Sequence, residues 1–323
     1  MMFESILIVF LALGIDFFFG DPKNKFHPTS WVGSLIACLT TLSKKYCTNF
    51  EKLNGIFIIL ITTTIVFLSI ILLEVSIDII PDVYVSLTVA IITGALLLKL
   101  TIAIKGMEKH AMAVVHYLEQ DDISSARSNL SMIVKRNTSN LDKNHIVSGV
   151  IESISENTVD GITAPLFYFG LFGIPGAFVY RAINTADSMI GYKTNIFKNL
   201  GWFAANCDKF ANYVPARITG LMMVLSSIIL KNNWKKSYEI MIRDGTKTES
   251  PNAGYPMAAI AGALNTKFEK IGHYSLGDGD ISFSIDQIKS ALSIMKVTSI
   301  LFTVMIVTPS ILFLSYLGWW LHA

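Results

Sequence analysis

Charge is scarce in this 323-residue chain: Asp, Glu, Lys and Arg together make up 15% of it, where an ordinary soluble domain carries about 25%. Neither sign is in surplus, with 26 basic against 24 acidic residues and a net charge of +2. That balance excludes nucleic acid as a partner, because a phosphate backbone is held by a basic surplus. Cysteine is nearly absent. Cys38, Cys47 and Cys207 form no CxxC pair and no ligand cluster, which excludes a disulfide framework and predicts reduced, mostly buried thiols. The chain has no GxxxxGK[ST], no GxGxxG after a strand, no HExxH and no GxSxG, so any nucleotide is held by something other than a P-loop. Strand-like alternation, internal repeats and low-complexity tracts are also missing.

What is abundant is apolar: 52% of the residues are hydrophobic. Four runs, residues 3–19, 56–73, 83–104 and 297–317, are long enough at about 20 residues to cross a bilayer. The first does not read as a signal peptide, since Glu4 precedes it, Asp16 lies inside it and no small-residue cleavage site follows. Two further apolar segments are interrupted. Residues 162–182 contain Pro165, Gly170, Gly173, Pro175 and Gly176, and residues 213–230 contain Pro215 and Arg217. Irregular backbone at membrane depth is tolerated only against protein or water, so both are expected to be broken or re-entrant. Between 107 and 155 the pattern turns amphipathic, with Ile123, Ala126, Leu130 and Ile133, then Ile146, Val150 and Ile154, at helical spacing. Asp142 or Asn144 would cap the second of these helices. The expected class is all-α: one polytopic membrane domain over 1–323, with four firm spans, two broken segments and cytoplasmic helices.

Lysine and arginine set the expected orientation. Lys23, Lys25, Lys44, Lys45 and Lys52 lie between the first two spans, while Glu74, Asp78 and Asp82 lie between the second and third. Lys105, Lys109, Arg127 and Arg136 follow the third. The reading is a multi-pass protein of the cell membrane with both termini outside and its polar clusters facing the cytoplasm.

Five polar clusters interrupt the apolar pattern. Asp16, Gly20–Asp21–Pro22 and His27–Pro28 end the first span. An acid inside a span is a functional hypothesis by default; the bland alternative is a helix-end carboxylate reaching water. In the second cluster, Glu152, Glu156 and Asp160 fall one helical turn apart around Asn157. Like charges at that spacing repel, and a divalent cation would compensate them, since Mg²⁺ takes carboxylates together with substrate phosphates. The alternative is a solvated acidic face. Third, Tyr180, Arg181, Asn184 and Asp187 follow an apolar stretch. There Arg181 suits a phosphate or an ion pair with Asp187. Fourth, Arg217 in an apolar context wants an anion or snorkels to the interface. Fifth, Ser250–Pro251–Asn252 and Tyr255 open a run of alanines, where small residues favour close helix packing and helix-start N–H groups suit an anion.

At these clusters the chain resembles the adenosylcobinamide-phosphate synthase family of cobalamin biosynthesis, an integral membrane family of similar length. The strings that carry the resemblance are DFFFGDPKNKFHP at 16–28, ESISENTVDGITAPL at 152–166, GIPGAFVYRAINTADSMIGY at 173–192, residues 201–217 and SPNAGYPMAAIAGAL at 250–264. The chain departs from the family at Asp208–Lys209, where the family often has two adjacent acids. It departs again at Thr246 to Glu249, where the family often has a histidine.

The resemblance implies ATP-dependent amide formation between adenosylcobyric acid and an aminoalcohol phosphate (aminopropanol phosphate or ethanolamine phosphate), with Mg²⁺ present and adenosylcobinamide phosphate as product. Such a site needs Mg²⁺ and cations on the transferring phosphoryl group, a base for the amine and a pocket for the second substrate's own phosphate. By charge, Glu152, Glu156, Asp160 and Asp21 are the metal candidates. The catalytic candidates are Glu156, Asp160, His27 and Asp187. Arg181, Arg217, Asn157, Asn184, Ser250, Asn252, Tyr180 and Tyr255 are the candidates for holding nucleotide, phosphate and corrinoid. Expected partners are the corrinoid, the aminoalcohol phosphate and the lipid bilayer, with homo-oligomers or other enzymes of the corrinoid pathway compatible. Two alternatives stand beside this reading: a transporter of a polar or anionic solute, which would show paired broken helices in two similar halves, and a non-catalytic membrane assembly factor.

Overall fold

A computed structural model describes residues 2–22, 27–46, 48–134, 136–192, 197–270, 272–279 and 284–318. Lys23, Lys25 and Cys47 lie outside the described residues. In chain order the first helices are α1 (Met2–Phe19), α2 (Pro28–Tyr46), α3 (Glu51–Asp78), α4 (Val83–Lys99), α5 (Ile104–Glu119), α6 (Ile123–Ser131) and α7 (Lys143–Thr158). A π turn at Val159–Thr163 leads into α8 (Ala164–Ile190), followed by α9 (Trp202–Ala211), α10 (Tyr213–Ile229), α11 (Trp234–Asp244) and α12 (Gly254–Ala263). A small hairpin of β1 (Lys267–Lys270) and β2 (Tyr274–Gly277) precedes α13 (Ile285–Phe302), a second π turn and α14 (Thr308–Tyr316). The all-α class expected from the sequence is the class observed.

Among the described residues, four helical runs are long and apolar enough to cross a membrane: Glu51–Asp78, Val83–Glu119, Lys143–Ile190 and Ile285–Tyr316. Three contain expected spans. The remaining one contains the 162–182 segment, while residues 3–19 form a helix that does not figure among the four. The membrane character is visible on α3, whose Leu53, Phe57, Leu60, Leu68 and Leu72 are each at least half exposed. In water such a face would be an aggregation site, and in lipid it is solvated. Only 28% of the α3 apolar window is buried, against 72% for Lys143–Ile190, so the latter is lined by protein.

Prolines explain how the two interrupted segments really run. In 213–230 there is no break: Pro215 lies in the first turn of α10, where its missing N–H leaves no intrahelical bond unmade. In α8 the break is confined to Phe172 and Gly173, with Gly173 at φ 64°, and Pro175 then starts the second half. The π turn before α8 is held by Thr163, whose Oγ1 donates to Thr158 O (3.0 Å) and pairs with Thr219 Oγ1 (2.6 Å).

The chain divides into two compact units. The first comprises Met1–Ala103, Ala164–Ala211 and Met305–Ala323. Part of its core is Ile36 of α2, Ile58 and Ile59 of α3, Ala186 and Ile190 of α8, and Leu200 and Ala204. There α1 lies against α4 at Gly94, where a Cβ would come 2.7 Å from Ile8 Cδ1. The second unit comprises Ile104–Thr163 and Asn212–Val304. Its α5 buries Met107, Ala111, Val114, Val115 and Leu118, and α7 buries Ile146, Val150 and Ile154, the stripe the spacing predicts. Asp142 caps α7 by accepting from His145 N. The alanine-rich α12 is fully buried against α11: a Cβ on Gly262 would sit 2.3 Å from Lys236 O, and Ser237 Oγ donates to Ala259 O. That stripe packs helices.

Two expectations are corrected. The reading found no strand, because four-residue strands around a tight turn are too short to show alternation; Gly272 (φ 78°) and Gly277 (φ 89°) supply the backbone conformations the hairpin needs. Cys38 is exposed and Cys207 half-buried, so the thiols are not mostly buried: the inward face of α2 is given to Ile36 and Thr40. The 278–280 turn is described as far as Gly279, and Asp280 lies outside the described residues. The long helix into the last span is there, with Ser284 and Gln287 forming a capping box at its start.

Candidate active site

The first unit holds two polar clusters. In one, Gly20 (φ 67°) ends α1, its N–H bonded to Asp16 O, and turns the chain so that Asp21 faces back. Lys99, the last residue of α4, donates from Nζ to Asp21 Oδ1 at 2.5 Å and stands 3.6 Å from Asp16 Oδ1. His27 Nε2 lies 3.7 Å from the same Asp21 oxygen, and its Nδ1 is 2.6 Å from Thr29 Oγ1. Burial pushes the Asp21 carboxyl up, but hydrogen bonds from His27 and Lys99, with the lysine charge, outweigh it and leave Asp21 below its ordinary value. Sequence reasoning missed Lys99, although one lysine inside an apolar span is the signal that finds it.

In the other cluster, Arg181 Nη1 donates to Asn184 Oδ1 (3.5 Å), and Asn184 Nδ2 donates to Asp208 Oδ1 (3.1 Å). Asp208 stands at one of the two departures from the family pattern, yet it is brought to a predicted residue. Tyr180 is buried, stacked on Tyr168 at 5.2 Å between ring centroids. Asp187 lies in the last turn of α8, where a Cβ on Gly191 would run into its Oδ1.

In the second unit the acidic face of α7 is not uniform. Glu152 is buried, accepting from Ser148 Oγ (2.7 Å) and Tyr274 OH (2.8 Å) and lying 3.4 Å from Arg136 Nη2. Arg136 compensates Glu152 from a bend 16 residues upstream, out of reach of the helical spacing that groups the acids. Burial, then the Glu152 charge, raises Tyr274 far above the ordinary phenol value, so it stays a donor. Glu156 is exposed and Asp160 half-buried in the π turn. Asn157 bonds back to Ser153 O and Oγ of its own helix.

The fourth and fifth strings meet in this unit. The Arg217 guanidinium lies over the rings of Tyr213 (3.4 Å) and Tyr255 (4.5 Å). Its Nη1 donates to Tyr213 O (2.6 Å) and Asn252 Oδ1 (3.3 Å). Ser250 supports the turn, its Oγ accepting from Asn252 N and its carbonyl from Thr248 Oγ1. An arginine flanked by two rings is fixed in place with its charge intact.

Among the described residues, no group of three or more His, Cys, Asp or Glu side chains gathers as a metal set. A Mg²⁺ that keeps its waters and takes substrate phosphates needs only one or two carboxylates. Glu156 and Asp160 supply that number at accessible positions, whereas Glu152 is committed to Arg136, Ser148 and Tyr274.

These features define a helical integral membrane protein whose charged side chains are gathered at helix ends and in compact polar clusters. The chain belongs to the CobD/Cbib protein family, whose model matches residues 9–304. Relatives include a probable cobalamin biosynthesis protein CobD of Methanothermobacter thermautotrophicus, 36% identical over 95% of this chain and 100% of that protein. The cobalamin biosynthesis protein CobD of Dehalococcoides mccartyi is 40% identical over 85% and 87%, and that of Clostridium perfringens is 34% identical over 91% and 94%. No solved structure matches.

Proposed function

We propose that this protein acts in cobalamin biosynthesis as an ATP-dependent ligase, joining adenosylcobyric acid to an aminoalcohol phosphate to give adenosylcobinamide phosphate. Family membership supports the pathway. The observation that carries the chemistry is the Arg217 site, where two separate strings of the sequence converge on one ring-flanked cation beside Asn252.

A carboxylate does not form an amide unaided, and phosphoryl transfer from ATP turns one of its oxygens into a leaving group. Mg²⁺, when bound, neutralises charge on the phosphates; Glu156 and Asp160 would hold it. Arg217, in the same unit, binds phosphate oxygens, its planar face fixed by the two tyrosines. The amine attacks only when neutral, so a base must take its proton.

The test is ligation by the purified protein with ATP, adenosylcobyric acid and each aminoalcohol phosphate, followed by mass spectrometry. The expected result is the amide product with ADP formed only when both organic substrates are present. ADP formation independent of them, or no product with either amine, overturns the reading.

A further inference from the structure

A cavity of about 520 Å³ lies in the second unit, beside α6, within the ~300–1,000 Å³ range of small-molecule sites. One wall is Ser124, Arg127, Ser128 and Ser131, and the other is residues 136–139. The spacing of the first wall (i, i+3, i+4, i+7) makes it one face of α6. The opposite face of that helix carries Ala126 and Leu130 into the core, so α6 is amphipathic toward a cavity. The lining holds two arginines, six hydroxyl or amide side chains, no carboxylate and no apolar or aromatic group. Its lining residues lie, in chain order, between two candidate membrane spans, Val83–Glu119 and Lys143–Ile190.

The two guanidinium groups are set in place by the fold. Arg127 Nε donates to Leu141 O at 2.8 Å, and among the described residues no ion pair engages this arginine. Arg136 is anchored at Nη2 by His145 O and Glu152, while its Nε is buried and makes no hydrogen bond among the described residues. Arg136 passes over Gly149 of α7, where a Cβ would come 2.7 Å from Nη2. The nearest acid on α6, Asp122, is engaged as its N-cap, accepting from Ser124 Oγ and Ser125 N.

We infer that this cavity is a binding site for a small phosphate monoester. Arg127 supplies the charge for a phosphate, Arg136 adds N–H groups beyond the one that Glu152 takes, and the serine, threonine and asparagine groups match the phosphate oxygens and a short polar tail. With no aromatic ring among its lining side chains to stack on a base, the cavity favours a small phosphate over a nucleotide. The inference stands on the cavity alone and does not require ligation to occur.

The experiment measures binding of ethanolamine phosphate and of inorganic phosphate to the full chain in detergent, without ATP or corrinoid. Saturable binding is expected for both, with ATP a weaker competitor. Arg127→Gln, which removes a charge that no carboxylate pairs, should weaken binding by about tenfold or more. Gly149→Ala should weaken it by pushing the Arg136 guanidinium aside, and decides the matter if Arg127→Gln does not elute as a folded protein. Absence of saturable binding, or unchanged affinity in the folded variants, would overturn the assignment. Binding without ligation would leave this site standing and reject the ligase reading.

Discussion

Lys99 Nζ lies 3.6 Å from Asp16 Oδ1, with side chains that are 4% and 0% exposed. Two opposite charges almost sealed from solvent stabilise each other only as a pair. Lys99→Met leaves the Asp16 carboxylate without its cation and should cost about 3–5 kcal/mol. The double variant Lys99→Met/Asp16→Asn should recover part of that loss, the remainder being the Asp21 pairing. Thermal unfolding in detergent reads both, and additive losses would reject the pairing.

The acids of α7 divide by environment. Glu156→Gln should abolish ligation and leave Tm unchanged, because the side chain is exposed. Glu152→Ala should lower stability by about 3–5 kcal/mol, because it strips Arg136 and Tyr274 of a buried acceptor. Ligation assays alongside thermal melts separate the two, and full activity in Glu156→Gln removes it from the metal candidates.

Arg217→Lys keeps the charge and loses the plane that lies between Tyr213 and Tyr255. The expected outcome is a rise of about tenfold in KM for ATP or for the aminoalcohol phosphate, with kcat nearly kept. Steady-state kinetics with each substrate varied in turn checks it. An unchanged KM for both rejects a phosphate role.

Asp244 supplies a pH dependence. Burial raises its carboxyl, but Arg243, Lys247 and the Gly277 N–H outweigh that and hold it well below the ordinary carboxylate value. A carboxyl depressed in the folded state contributes stability that is fully present above the unfolded value, about 3.9. That contribution is lost as pH falls through the folded value. Asp244→Asn should therefore melt earlier than the parent at pH 7, and the gap should close only in strong acid. A gap that stays unchanged on into strong acid, well below the unfolded carboxylate value, would show that the carboxylate charge is not what stabilises.

Much of the fold was legible along the chain. Apolar length located α3, α4 and the last span, and the 3.6-residue stripe located the buried faces of α6 and α7. Asp142 announced a cap. Prolines misled: Pro215 reads as a breaker in sequence, yet it lies in the first turn of a helix, where it breaks nothing. The hairpin escaped because its strands have four residues each.

The site was legible as residue types and not as pairings. Covalent order alone determined that this is a membrane protein, that its charges come in five compact strings and which family those strings mark, because hydropathy and residue identity are properties of neighbours along the chain. Tertiary structure alone decided that Glu152 answers to Arg136, that Arg217 lies beside Asn252 and that Lys99 serves Asp21. Those contacts join positions 16, 35 and 78 residues apart, and electrostatics depends on distance through space.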